Sequence, residues 1–299
     1  MKQTKFTRFT RVLIIVFGFL LSVYFFILPF DYQIRFTTKQ APLTIYNLLH
    51  KRVDKVAFVD DEIRFREVSN GENFQGIEFL WSIKPVDLNK TSVTIAVNFL
   101  EERIVEKLKI IIDQSDRTKA SIEYIRNFNK ELNKDLNEFQ IDSIVSGKLE
   151  ASRCICYKID SFIDDKANQM NKNIDALASY IPKDKKSPPR IYIYEIDKIS
   201  QQMKSDFCFP ISNINIESVT APFFIKNFPS FEGYVYDFRG NYNKSHRGWF
   251  QLLKKVEMQN EKIVFPIVEI FHDSPFSSTD DKTWLSQTFF SLKTSYKNK

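Results

Sequence analysis

The chain has 299 residues, 43% of them hydrophobic and 27% charged, which suits one large domain or two ordinary ones and excludes a disordered or collagen-like chain. Glycine is scarce, at 7, and the absence of GxGxxG and GxxxxGK[ST] runs excludes nucleotide binding built on those two glycine cradles. The net charge of +6 comes mostly from Lys2, Lys5, Arg8 and Arg11; without them 39 basic residues face 37 acidic ones, and no helix-turn-helix or zinc-finger spacing occurs, so no nucleic-acid partner is expected.

Those four cations precede the first element, Val12 to Phe30, which holds no charge. As a helix it would reach about 28 Å, close to the thickness of a bilayer's hydrocarbon core, and a helix satisfies its own backbone hydrogen bonds in lipid. Pro29 marks its exit. The run is long for a cleaved signal, and ILPFDYQI offers no small-residue cleavage site. Residues 1–30 are therefore read as a cytoplasmic tail and an uncleaved single-pass anchor in the cytoplasmic (inner) membrane of a bacterium. The leading cations favour a cytoplasmic N-terminus and extracytoplasmic domains beyond the span.

Residues 31 to 112 read mostly as strand. YQIRFTT alternates, and Ala41-Pro42 then introduces a short helix, LTIYNLLHK. Ile77–Ile83 and Ser92–Phe99 are β-rich, with KPVDLNKT between them read as a turn. Ile122, Ile125, Phe128, Leu132, Leu136 and Phe139 recur at helical spacing and predict a long helix over 116–140. The strand, Ala-Pro and helix opening, together with the W-x-I-x-P…T-x-V-T hairpin, loosely resembles the helix-grip (SRPBCC-like) superfamily that includes START-like and polyketide-cyclase-like domains. The resemblance implies a shortened helix-grip-like domain over 31–142. Because Lys51–Gln75 is short and charged, that domain is expected to hold a small pocket or none.

Beyond a boundary at 143–148 the sequence repeats itself. Three cysteines are an odd number, and Cys154 and Cys156, two apart on one strand face, read as small buried hydrophobes; a Cys-x-Cys with no nearby histidine or third cysteine is a poor zinc site. Each half runs strand, helix, strand, strand, over about 147–212 and 228–292. A shift of 77 residues sets Pro189 on Pro266, Tyr192 on Glu269 and Tyr157 on Tyr234. The predicted fold class is thus α+β: an N-terminal transmembrane helix, a shortened helix-grip-like region, and a duplicated β-α-β-β domain with antiparallel sheets over 147–299. Duplicated units bury their apolar faces against each other, and ligands favour such seams.

At these residues the second part resembles the GyrI-like, AraC-type effector-binding domain. Tyr236, Gly240 and Tyr242 match its Y-x-x-x-x-G-x-Y element; Pro266, Glu269, Ile270, Phe271 and Pro275 match the P-x-x-E-I/V-Y-x-x-D/S-P element; and Trp284 opens the last strand. In the first half, Pro188–Tyr192 and Phe209-Pro210 match the corresponding strands. The resemblance implies a small organic ligand, cationic or aromatic, in a cleft between the halves. A few relatives are similar to hydrolases. The sequence departs from the pattern at Ser161-Phe162, where the family has a glycine-tyrosine turn, and at Gln287, where an acid is common; the second change removes a negative charge that a cation would use.

Glu269 is the sharpest candidate. It alternates with Ile267 and Phe271, and a carboxylate among apolar side chains needs a partner, at a cost of several kcal/mol without one. Read with the resemblance, it recognises a cation or, in a hydrolase, serves as general base. Tyr192 and Tyr194, and Tyr236 and Phe238, alternate as aromatic walls that would stack on flat or cationic ligands, and Phe271 and Trp284 join them as ligand-binding candidates. For any one of these tyrosines and phenylalanines, ordinary sheet core with the phenolic tips at the rim is the stronger reading. Ser245-His246 and His272-Asp273-Ser274 read as exposed turns rather than catalytic clusters. No cofactor and no metal site are expected. The readings left open are a membrane-anchored small-molecule-binding protein, a hydrolase of a reactive small molecule, and an anchored interaction module whose cleft is filled.

Overall fold

The computed structural model describes residues 2–59, 62–69, 76–88, 90–182, 187–211, 219–273 and 280–294. Pro275 and Ser274 lie outside them. The chain opens with helix α1, Lys2–Ser22, followed by one π turn over Val23–Ile27. Phe9–Ile27 is long and apolar enough to cross a membrane, with mean hydropathy 2.3, and none of it is buried in protein. The described chain then divides into two compact units.

The first unit comprises residues up to 37, 52–84 and 92–130. It is built on a five-stranded sheet of β1 (Tyr32–Thr38), β2 (Val53–Val59), β3 (Glu62–Ser69), β4 (Ile77–Asp87) and β5 (Lys90–Phe99), in the order β1-β5-β4-β3-β2. Alternation does what it predicts: Ile77, Phe79, Trp81 and Ile83, with Val93, Ile95, Val97 and Phe99, form one buried face. The long helix, α4 (Asp116–Leu136), covers that face, with Tyr124 5.4 Å from Phe79 and Phe128 5.5 Å from Trp81 between ring centres. Phe65 stacks on Trp81 at 5.6 Å.

Four expectations are corrected here. KPVD belongs to β4, and of the residues read as a turn only Leu88 is one among the described residues. The charged stretch after Lys51 forms β2 and β3; Arg64 and Arg66 lie on the open face, while Ile63, Phe65 and Glu67 point inward, Glu67 accepting from Trp81 and Tyr124. Arg103–Ile111 is a helix, α3, inside the region read mostly as strand. The long helix ends at Leu136, and Phe139 belongs to a strand.

The second unit holds residues 38–51, 85–91 and 131–299. Helix α2 (Pro42–Leu49) packs within it, with Asn47 accepting from Arg247 at 2.8 Å. Its nine-stranded antiparallel sheet contains β6 (Phe139–Ile141), β7 (Val145–Leu149), β8 (Ser152–Phe162), β9 (Arg190–Ile196), β10 (Gln202–Pro210), β11 (Phe223–Phe228), β12 (Phe231–Gly240), β13 (Glu261–Phe271) and β14 (Leu285–Thr294). Helices α5 (Lys166–Ala178) and α6 (His246–Met258) complete two β-α-β-β copies, β8-α5-β9-β10 and β12-α6-β13-β14. The path β11-β8-β10-β9-β13-β14-β12-β6 places the copies back to back, joined where β9 pairs with β13. The duplication read from the sequence is thus present in the topology.

Register corrects one detail. Glu269 pairs with Ile191, and Tyr192 pairs with Val268. Residues directly opposite share a face, so Tyr192 and Glu269 point to opposite sides of the sheet. The 77-residue shift is one residue out for this strand. The cysteines also differ from expectation: Cys156 on β8 faces Cys208 on β10, and the two form a disulfide, while Cys154 is a free, buried thiol. An odd count leaves room for one bridge, and the long-range partner Cys208 was invisible to local spacing.

Candidate functional site

The helix-covered face of the second sheet carries Ile267, Glu269 and Phe271 on β13, Ser286 and Thr288 on β14, and Tyr236 and Phe238 on β12, as their pairings require. Glu269 is fully buried. It is held from three directions: Lys166 Nζ lies 3.3 Å from Oε2, the Ser245 hydroxyl donates to Oε2 at 3.0 Å, and the Ser286 hydroxyl donates to Oε1 at 2.7 Å. Lys166, the first residue of α5, also donates to Ser245 Oγ and lies 4.6 Å from the centre of the Trp249 ring. A buried carboxylate among apolar neighbours needs a partner, and here the chain itself supplies one. Burial pushes the Lys166 ammonium below its ordinary pKa, partly offset by Glu269.

Beside this cluster opens a cavity of about 520 Å³. It lies at the seam of the two copies. The first copy contributes Met170, Asn171, Ile174 and Asp175 of α5, Phe207 and Phe209 of β10, and Pro188-Pro189; the second contributes Tyr242, Phe271, His272, Asp273 and Trp284. Tyr242 anchors the aromatic wall, its ring 4.8 Å from Phe271 and 5.3 Å from Trp284. Its hydroxyl donates to the Leu285 carbonyl at 2.7 Å, fixing the turn after Gly240. That glycine has φ +147°, and an added Cβ would come within 3.0 Å of the Glu138 carbonyl, so the Tyr-Gly-Tyr element carries a backbone requirement. The Trp284 indole N–H meets no acceptor among the described residues. Two carboxylates, Asp175 and Asp273, stand in the described lining and no lysine or arginine does.

Of the ligand-binding candidates read from the sequence, Phe271 and Trp284 line this cavity. Glu269 lies behind its wall, with no place in the described lining. Tyr236 and Phe238 are buried on the same face but elsewhere: Tyr236 lies under α6, where a methyl on Gly248 would come within 2.8 Å of its hydroxyl, and Phe238 stacks on Phe139 at 5.7 Å. Tyr192 and Tyr194 belong to the opposite face. There Tyr192 stacks on Phe228 at 3.5 Å, beside the disulfide and Val268. The Tyr194 hydroxyl donates to Asp206 at 2.7 Å, and Lys226 lies 4.4 Å from the Tyr194 ring centre. Burial and the Asp206 charge raise the Tyr194 phenol above its ordinary pKa. Gln287 also points to that face, donating to Asp237 at 3.0 Å.

Sequence reasoning missed Lys166, Asp175 and Phe207, and named Phe209 only as a strand match rather than as a lining residue. Phe207 and Phe209 alternate, a local signal for one shared face. Nothing local marks Lys166, whose partner is 103 residues away.

His246, the first residue of α6, is 2% exposed, with Phe250 5.5 Å and Trp249 6.5 Å from its ring centre. Burial, reinforced by the Arg247 and Lys166 charges, holds its pKa well below 6.5. The folded chain therefore refuses a proton that the unfolded chain accepts. Stability is expected to fall as pH drops below about 6.5, by up to about 1.4 kcal/mol per pH unit for this one group. Urea midpoints measured between pH 7.5 and 5.5 check this, and His246→Gln should flatten the profile. An equal slope in that variant assigns the acid sensitivity elsewhere.

No protein-family model matches the sequence, and no curated protein matches it. Among solved structures, the chain is similar to the EcmrR C-terminal domain at 12% identity and a TM-score of 0.41, covering 51% of this chain and 98% of that one. It is similar to SAV2435 bound to tetraphenylphosphonium at 13% identity and TM-score 0.36, covering 51% and 94%. A hydrolase from Listeria innocua gives 7% identity and TM-score 0.31, covering 50% and 91%. At these scores the likenesses carry no argument about family, ligand or activity.

Proposed function

We propose that the chain is a membrane-anchored protein that binds a small organic cation in the seam cavity. The observation that carries this reading is the lining: aromatic side chains from both copies, two carboxylates and no lysine or arginine among the described residues, around about 520 Å³. Pockets of this size suit small molecules, and aromatic faces attract cations by about 0.5–2 kcal/mol each. Carboxylates at the rim favour positive charge and disfavour negative charge over the same shape. Glu269 supports the site from behind: its charge is already met by Lys166, so it is not the cation's partner. The same enclosure leaves it no path to a substrate, and the general-base reading draws no support from the geometry.

The anchor is the apolar helix Phe9–Ile27, uncharged from Val12 onward and preceded by basic residues up to Arg11. The Cys156–Cys208 disulfide supports placement of the second unit outside the cytoplasm, since such bonds persist in oxidising compartments.

Two ions of one shape and opposite charge test the proposal. Calorimetry on the full chain in nanodiscs, with empty discs subtracted, should show saturable binding of tetraphenylphosphonium and none of tetraphenylborate. Trp284→Ala should weaken the cation by about tenfold, the equivalent of one lost cation–π wall. Asp175→Asn with Asp273→Asn should erode the charge preference. Equal binding of both ions, or indifference to Trp284→Ala, would remove the cavity as the site.

A further inference from the structure

Helix α3 is amphipathic with its polarity reversed. Ile104, Val105, Leu108, Ile111 and the following Ile112 are all exposed, from 48% at Val105 to 59% at Ile112. At about 100° per residue they form one stripe roughly 120° wide. Two charged residues of the same helix are buried instead, Glu106 at 3% and Lys107 at 0% exposure. A water-facing helix has the opposite arrangement, because burying charge and exposing isoleucine are both unfavourable in water.

The inward charges tie α3 to the end of the candidate span. Lys107 Nζ donates to the Tyr24 carbonyl at 2.7 Å, and Arg103 donates to the Leu28 carbonyl at 3.0 Å. Both also pair with Asp31, at 3.5 Å and 2.8 Å. Tyr24 lies three residues before the last residue of the run, Ile27, so α3 is bonded about 5 Å inside its end. An apolar stripe at that level stands beside the span, at the boundary between headgroups and acyl chains.

We infer that α3 is an in-plane membrane helix: its apolar stripe is immersed in the leaflet from which the span emerges, and its inverted charges clamp the span's last turn. This rests on the membrane-anchor reading. The occupant of the stripe is lipid, because the stripe is continuous with a surface that itself requires lipid. Interfacial helices immerse such faces about 5–10 Å.

The test uses the full chain with Cys154→Ala, one molecule per nanodisc of phosphatidylcholine and phosphatidylglycerol. A bimane label is placed by Ile14→Cys in the span, or by Leu108→Cys or Ile111→Cys in α3, all exposed positions that leave the packing unchanged. Doxyl groups high on the acyl chain should quench Leu108 and Ile111 labels as well as Ile14, and aqueous iodide should quench the α3 labels several-fold less than it quenches the free dye. If Ile14 is quenched by lipid while both α3 labels answer to iodide alone, the in-plane helix is overturned and the anchor stands. If α3 labels escape both quenchers, protein covers the stripe and the inference is likewise overturned. If Ile14 itself escapes lipid, the anchor fails and takes the inference with it.

Discussion

Lys166→Met is expected to destabilise the second unit by about 3–5 kcal/mol, because it leaves the Glu269 carboxylate charged and enclosed with only two hydroxyl donors. Methionine keeps much of the lysine stem, so the loss reports the charge rather than a void. Removing both partners, as Lys166→Met with Glu269→Leu, should recover most of that loss, since a buried ion pair often does no better than apolar groups of similar volume. Urea unfolding of the three proteins, followed by tryptophan fluorescence, gives the coupling directly. A cost below about 1 kcal/mol for the single change would mean that water reaches the pair and that the site is not dry.

The second large effect is expected at the disulfide. Cys156 and Cys208 are 52 residues apart, and closing a loop of that length removes about 4 kcal/mol of chain entropy from the unfolded state. Cys208→Ala should lower stability by about 2–5 kcal/mol and bring the oxidised and reduced samples together in midpoint. Alkylation under denaturing conditions offers a companion measurement. Protein taken from intact cells should accept one alkyl group, at Cys154, before reduction and three after it. Three from the outset would place the second unit in a reducing compartment and overturn its proposed position.

What could be read from the sequence was whatever repeats locally. The alternation of Ile77 to Ile83 and of Val93 to Phe99 names a buried face without reference to anything distant. The two β-α-β-β copies were legible for the same reason. The errors follow from information that is not local. Shifting the repeat by 77 residues aligned Tyr192 with Glu269, and with a period of two a one-residue slip exchanges the faces. That slip joined two aromatic groups which the sheet separates. The stretch after Lys51 looked too short and charged to help enclose a pocket, because only one face of its strands is covered. Helix α3 was concealed by its own inversion, since isoleucines beside lysines fit a strand as readily as a helix with an unexpected solvent. Lys166 and Glu269 find each other through tertiary contact alone.

The two helix starts show how far the copies have parted. α5 begins with Lys166 and α6 with His246, equivalent places in the doubled plan, both nearly inaccessible to water. Burial pushes both below their ordinary pKa, and for the first a carboxylate on the other copy's strand partly offsets this. A version with histidine at both would leave that carboxylate with its two serine donors alone. The halves have therefore lost their interchangeability: twofold in outline, the unit is chemically handed.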